Sequence, residues 1–389
     1  MFFSILFFIQ NYYPWNSYPI GEFQYLFGTK LYNNVIIVND GVNRFLFQNL
    51  FSSKFSFGYL RSPTLGSLEK VMEKEPAITV LAFGAGQDST AILYKIVLDK
   101  EFRKRYVPGK LLVLMSDTGN EHPHTYMHVD FIQEFCMLHN IEFYFIQHGM
   151  GYHPRFWPTL QFQFQKNSAV MSVAFNKTCT DNLKIKPLYN FLDHYIAAHY
   201  FEYADTIQPK GKRFIKRFCN YYGKINVILG IAAGEECRIA KSNKQALKKL
   251  SLDLLQKVRL PRKSWMDNCI EKIYPLVEMR MDRKACQEYI LAVGLPLPFP
   301  SNCMMCPFAS KIEILWLYRN YPAVFAEWVM YEKAKLQKFA CSGKTNLGVK
   351  GRFTLEQVLV QAIEQFGHMT DEELDEYKMS HGHCVKSVY

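Results

Sequence analysis

A short apolar run that ends in a glycine-bearing turn and continues as a helix constrains this chain more than any other feature. Residues 78–83 read Ile-Thr-Val-Leu-Ala-Phe, uncharged and partly β-branched, as in a strand buried on both faces. Gly84-Ala85-Gly86-Gln87-Asp88-Ser89-Thr90 follows, and Ala91–Leu98 then reads as a helix. A strand that passes through small residues into a helix leaves backbone N–H groups unpaired at the helix start, where the helix dipole adds positive potential. Gly84 and Gly86 let the backbone approach an anion with no Cβ in the way. Ser89 and Thr90 offer hydroxyls or caps. The turn is not a Walker A loop, since no Gly-Lys-Ser/Thr follows, nor is it Gly-x-Gly-x-x-Gly, since residue 89 is serine.

The pattern repeats. Leu111–Asp117 reads as a second strand, followed by Thr118-Gly119-Asn120-Glu121-His122-Pro123 and a helix over His124–Leu138. Glu142–Ile146 reads as a third strand and Asn226–Ala232 as a later one. Strands alternating with helices predict an α/β fold: an open, mainly parallel twisted sheet with helices on both faces. Ligands in such sheets sit beyond the C-terminal strand ends, where both polar clusters, Gly84–Thr90 and Asp117–His122, fall.

Taken together, these two clusters resemble the PP-loop superfamily, the adenine nucleotide alpha hydrolase-like proteins. Within it they are nearest the phosphoadenosine phosphosulfate (PAPS) reductase-like branch, phage-type members included. Gly86, Asp88 and Ser89 match a Ser-Gly-Gly-x-Asp-Ser pattern, with Gly84 for the serine and Ala85 for the first glycine. Asp117-Thr118-Gly119 through His122-Pro123 matches an Asp-Thr-Gly-x-x-His/Phe-Pro pattern. Thr178-Cys179-Thr180 with Lys184 and Pro187, and Gly230 through Glu235 and Arg238, are similar to two further segments of that branch, with Ala232 in place of an arginine. The likeness spans residues 76–310.

The resemblance implies an enzyme that binds ATP or PAPS, with Mg²⁺ beside the nucleotide. Many relatives transfer AMP to an oxygen that a nucleophile then displaces. It implies phosphate contacts from Gly84, Ala85, Gly86 and Ser89, nucleotide contacts from Thr118, Gly119, His122 and Glu235, and positive charge from Lys184 and Arg238. Asp88, Ser89, Asp117, Cys179 and Cys384 are its candidate catalytic residues. For Asp88 the alternative is an Asx-type helix cap, and for His122 a hydrogen-bonding support residue. The reductase tail Glu-Cys-Gly-Leu-His is absent. Cys384 stands near the terminus between His383 and Val385 instead, and a sulfonucleotide reductase working through it with a thioredoxin-like reductant is the second reading; a non-catalytic nucleotide-sensing or nucleic-acid-binding module is the third.

Pro300-Ser301-Asn302-Cys303-Met304-Met305-Cys306-Pro307 carries a Cys-x-x-Cys pair able to chelate one metal or cluster from a turn. Cys179 is the favoured third ligand and Cys384 the fourth; Cys286, His381 and His383 are further candidates. An iron–sulfur cluster with one open iron suits sulfur transfer, Zn²⁺ suits a structural site, and a bare dithiol is the plain alternative. Ten cysteines without an export signal indicate a cytoplasmic protein holding thiols or metal ligands. No uninterrupted apolar run reaches the roughly 18 residues of a membrane span.

The formal net charge of +11 suits a polyanionic partner, including a nucleic-acid acceptor for the transferred sulfur, or is a solvated surface. Lys210-Gly211-Lys212-Arg213-Phe214-Ile215-Lys216-Arg217-Phe218 interleaves cations with aromatics, and Lys241, Lys244, Lys248, Lys249, Lys257, Arg259, Arg262 and Lys263 follow. Either Phe214 and Phe218 stack on bases, or they face the core of an amphipathic helix at i, i+4. The Phe353–Phe366 region and the segment after Thr370 read as two helices, with Thr370 and Glu373 forming a capping box.

Residues 1–71 differ from the rest, with 18 aromatics, 8 charged residues and no Cys or His. They read as an atypical extension without sustained helical or strand periodicity, not part of the working enzyme. Three regions are therefore expected: that extension, a nucleotide-binding domain over 72–295, and a C-terminal helical and cysteine-containing region over 296–389. Deleting residues 1–71 is expected to leave a soluble protein with unchanged ligand binding, checked by expression and titration calorimetry; insoluble protein would refute this.

Overall fold

The computed structural model describes residues 28–32, 35–39, 44–48, 78–167, 170–174, 178–203, 207–239, 264–343 and 345–381. The chain divides into two compact units, 1–71 and 72–389. Lys241, Lys244, Lys248, Lys249, Lys257, Arg259, Arg262, Lys263, His383 and Cys384 lie outside the described residues.

The first unit contains three antiparallel strands, β1 (Gly28–Tyr32), β2 (Val35–Asn39) and β3 (Arg44–Gln48), in the order β1-β2-β3. Tyr32 pairs with Val35, so only Asn33-Asn34 separates the first two, a length and composition typical of hairpins. Strands of five residues are too short to register as periodicity in an aromatic-rich stretch, which is why the sequence pattern did not reveal them.

The second unit is built on β4 (Ile78–Ala82), α1 (Gln87–Leu98), α2 (Lys100–Tyr106), β5 (Lys110–Ser116), α3 (Pro123–Leu138), β6 (Glu142–Ile146), α4 (Leu160–Asn167), α5 (Lys186–Tyr200), α6 (Arg213–Tyr222), β7 (Ile225–Leu229), α7 (Trp265–Cys269) and β8 (Ile270–Ile273). It continues through α8 (Pro275–Glu278), α9 (Arg283–Ala292), α10 (Lys311–Asn320), α11 (Pro322–Lys338), α12 (Leu355–Phe366) and α13 (Asp371–His381). The five strands form one all-parallel sheet in the order β6-β5-β4-β7-β8, an open α/β fold with a C-terminal helical region.

Strand residues alternate between two cores. Leu81, Val113, Met115 and Ile228 pack with α1, α3 and α9 on one face. Val80, Leu112, Leu114, Val227 and Leu229 pack with α5 and α6 on the other. Helices therefore cover both faces, as the uninterrupted apolar strands require. A third core joins Leu160, Phe164 and Leu183 to Met305, Trp328, Leu355 and Leu374, so the C-terminal helices pack on the middle of the chain. Thr370 and Glu373 form the expected capping box of α13, with Thr370 N donating to Glu373 Oε2 at 2.8 Å.

The order of the sheet fixes where a ligand can sit. The chain moves outward from β4 through β5 to β6, then returns to the far side of β4 at β7. Crossovers leaving β4 and β7 run in opposite directions, which opens a crevice at their C-terminal ends. The turn after β4 stands at that crevice.

Thr90 Oγ1 lies 3.0 Å from His128 Nε2 and ties α1 to α3. Burial lowers the His128 imidazole to about 4 and that of His122 to about 2. Both stay neutral in the folded chain while their unfolded counterparts protonate near 6.5. Their contribution to stability is thus complete above pH 6.5 and is lost as the pH falls toward the folded values. Urea unfolding is expected to show a decline of roughly 1.4 kcal/mol per pH unit per histidine below pH 6.5. His128→Gln should remove about one proton from that slope; an unchanged slope would overturn the assignment.

Candidate functional site

The turn between β4 and α1 is held from within. Gly84 N donates to Ser89 Oγ at 3.3 Å, and Ser89 Oγ donates to the Gly86 carbonyl at 3.1 Å. Ala85, where the resembling pattern has glycine, takes φ 55°, in the left-handed region, with its methyl fully buried. That conformation costs a non-glycine residue roughly 1 kcal/mol, a strain typical of functional turns. Gly84 is the open side of the bend: a Cβ there would meet only Ser89 Oγ, at 4.0 Å. A Cβ on Gly86 points instead at Ser301, 3.4 Å from its backbone nitrogen. Gly86 therefore matters for packing against the 298–302 segment, while Gly84 faces the space a ligand would use.

The turn opens into a cleft of about 1190 Å³, part of it open to solvent. Gly84, Gly86, Asp88 and Ser89 line its polar mouth together with Arg238, Arg283, Lys184 and Ser301. Leu188, Tyr189, Val227, Leu229 and Met266 make an apolar wall, with Lys272 beside them.

Four charged side chains are chained across this mouth. Arg283 Nη2 lies 3.3 Å from Asp88 Oδ2 and 2.7 Å from Glu235 Oε1, and Arg238 Nη1 lies 2.5 Å from Glu235 Oε2. All four are less than a fifth exposed. Burial raises the Asp88 carboxyl above the ordinary carboxylate range, opposed by Arg283. Burial also acts to raise Glu235, but Arg283 and Arg238 outweigh it and hold that carboxyl low. The N-cap of α1 is Gly86 and Asp88 lies inside its first turn, so Asp88 is not an Asx-type cap. Its Oδ1 is buried and has no hydrogen-bond partner among the described residues.

The second polar cluster is placed differently. Asp117 does not line this cleft. Its Oδ1 accepts Gly119 N at 2.8 Å and the Tyr126 hydroxyl at 3.0 Å, and it borders a separate depression with His148 and Thr159. Burial raises its pKa, and those two hydrogen bonds oppose the rise. Gly119 has φ +68° and no room for a Cβ, which would fall 2.5 Å from Thr159 Cγ2. Thr118 Oγ1 donates to Glu121 Oε1 at 3.0 Å and accepts the Cys303 thiol at 3.4 Å. His122 is buried and stacks on His124 at 4.9 Å, a support residue away from the cleft. The Thr118–His122 segment thus clamps the Cys-x-x-Cys turn, with Met304 N and Met305 N donating to the Asn120 carbonyl oxygen and Asn120 Oδ1.

Lys184 reaches both regions. It sits on a π-helical turn, Asp181–Ile185, lines the cleft, and lies 3.2 Å from Glu121 Oε1. Such turns recur at functional sites because they swing one side chain out of helical register.

Of the expected metal ligands, Cys179, Cys303 and Cys306 lie among the described residues and Cys384 lies outside them. Among the described residues no three His, Cys, Asp or Glu side chains come together as a metal site. Burial and the Glu121 carboxylate push the Cys303 thiol well above its usual pKa. Cys179 is half-buried and Cys306 buried, and neither is in a disulfide. Cys286 is part of a core, its thiol raised by burial to about 12. His381 is exposed and stacks on Tyr377 at 4.3 Å.

Arg283 is the main residue that sequence reasoning missed. It stands 195 positions after its partner Asp88, and the local signal around it is only a helix cap, Asp282, which accepts Ala285 N at 2.8 Å. Glu121 and Lys272 were missed too, since neither position announces a buried carboxylate or a cleft-lining cation.

No family model matches the chain, and no curated protein matches it.

Gly230 sets the width of the crevice. A Cβ there would sit 3.0 Å from Ser89 N and 3.2 Å from Ser89 Cα, with backbone as the obstacle. Gly230→Ala is expected to destabilise the protein by about 1–3 kcal/mol in urea unfolding. Gly84→Ala should stay within about 0.5 kcal/mol of wild type. Equal effects would show that β7 and α1 are not in close contact.

Proposed function

We propose that the chain is a PP-loop, PAPS reductase-like enzyme that binds ATP or a sulfonucleotide in this cleft and activates an acceptor for sulfur transfer. The observation that carries the reading is the meeting of the Gly84–Ser89 turn, at the switch point of a parallel sheet, with the guanidinium groups of Arg238 and Arg283. Free amides at a helix start beside the buried Arg238 and the largely buried Arg283 are a phosphate site in their chemistry. The apolar wall of Leu188, Tyr189 and Leu229 offers a surface for a planar base.

In the proposed reaction an acceptor oxygen attacks the α-phosphorus of ATP. The bond to the bridging oxygen breaks and pyrophosphate leaves with the electron pair. A sulfur nucleophile then displaces AMP from the adenylylated acceptor. Arg283 and Arg238 would offset the charge developing on the leaving pyrophosphate, and the amides of the turn would hold the phosphate oxygens. Mg²⁺ would be held by Asp88 through its unpartnered Oδ1 and would neutralise phosphate charge. Asp117, turned to Gly119 and Tyr126, has no part in this scheme, and no step passes through the cysteines.

The test is calorimetric titration with ATP and with PAPS, followed by assay of AMP and pyrophosphate release with Mg²⁺. Binding of ATP is expected, weakened about 10- to 100-fold by Arg283→Gln, the loss of a buried charge-assisted hydrogen bond. Sulfite release from PAPS with thioredoxin would move the assignment to the reductase reading. Failure to bind either nucleotide would end the proposal.

A further inference from the structure

Helix α6 carries two faces of opposite character. The segment 207–224 that contains it holds six Lys or Arg and no Asp or Glu. Phe214, Ile215 and Phe218 are buried in the core against α5, so neither phenylalanine is available to stack on a base. Arg213, Lys216, Arg217, Asn220 and Tyr221, at i, i+3, i+4, i+7 and i+8, are exposed on one continuous helix face, with Tyr222 exposed at the C-terminal end.

That face is held rigidly. Asp193, fully buried on α5, accepts the first free amides of α6, Phe214 N at 2.9 Å and Ile215 N at 2.8 Å. Among the described residues none of Arg213, Lys216 and Arg217 is ion-paired with a carboxylate. The guanidinium groups rest on aromatic rings instead. Arg217 lies 4.4 Å from the Phe201 ring centre and 5.9 Å from that of Tyr221, and Arg213 lies 4.7 Å from that of Phe214. A guanidinium laid on a ring keeps its N–H edge free for a phosphate oxygen and loses little freedom on binding it. Tyr221 is 66% exposed.

We infer that the outer face of α6 is a docking surface for single-stranded nucleic acid. The cations take the backbone phosphates and Tyr221 stacks on a base. Lys224 pairs with Glu271 at 2.8 Å at the far end of the segment, so Arg213, Lys216 and Arg217 are the cations that face carries. A lipid surface fits less well, because the aliphatic and phenylalanine side chains of α6 point inward and leave no apolar wedge to insert. A duplex hides its base faces from Tyr221, while a single strand exposes them. The inference stands apart from the nucleotide cleft and holds whatever that cleft binds.

The test is fluorescence anisotropy of the full-length protein with labelled oligo(dT) of about 20 nucleotides, and with a duplex of equal length, over a salt series. The wild type is expected to bind the single strand. The triple variant R213A/K216A/R217A should lower the slope of log K against log salt by roughly 2, about 0.7 for each lost phosphate contact. Tyr221→Ala should weaken binding about tenfold while Tyr221→Phe retains it. Lys216→Glu, which leaves both arginine–ring contacts in place, gives the same direction if the triple variant folds poorly. No binding by the wild type, an unchanged slope, tighter binding of the duplex, or binding to phosphatidylserine vesicles with none to the oligonucleotide would each overturn it.

Discussion

Ser89 fixes the turn on which the rest of the site is arranged. Its hydroxyl joins the Gly84 amide to the Gly86 carbonyl, and its own backbone is pressed by Gly230 at the end of β7. The first contact sets the curvature of the bend, and the second sets its distance from the neighbouring strand. Because β7 lies beside β4 only through the return of the chain across the sheet, the site depends on the whole strand order and not on the loop alone. Gln87 extends the restraint: its side-chain amide donates to the Pro298 and Met379 carbonyls, at 3.0 and 3.1 Å. The C-terminal helix α13 thereby meets the first residue of α1, 292 positions away.

Much of this frame is legible in the residues. Val80–Phe83 and Leu111–Met115 are apolar at consecutive positions, which only a strand covered on both faces tolerates, and both belong to interior strands. Phe214 and Phe218 at i, i+4 among cations are core residues of an amphipathic helix, as that spacing implies. The edge strand Ile270-Glu271-Lys272-Ile273 was not legible. It has four residues, two of them charged, and its pairing with β7 is a tertiary fact.

The site divides along the same line. The turn and Arg238 could be read because local sequence determines a strand-to-helix bend and its nearest charges. The direction in which Asp117 points could not. Its aspartate-to-amide turn to Gly119 is local, but the alternative, reaching the cleft, is decided by Tyr126 on α3 drawing the carboxylate away. The surroundings of the Cys-x-x-Cys turn could not be read for a related reason: the spacing places two thiols on one turn, while the Asn120 contacts that hold that turn come from 185 positions away.

The charges at the cleft mouth limit what ligand can enter it. Arg283 and Arg238 are already occupied by Asp88 and Glu235, so an anion arriving alone must draw them from carboxylates that are themselves largely buried. Leaving one partner of a buried pair uncompensated costs about 3–5 kcal/mol, more than a single new charge-assisted hydrogen bond returns. A ligand that carries its own cation avoids that loss. In the proposed function such a cation would be held by Asp88, which would leave Arg283 for the anion and keep charge balanced at each buried group. On the function proposed above, the arrangement would disfavour a bare sulfate or phosphate and favour a nucleotide entering as its divalent-metal complex.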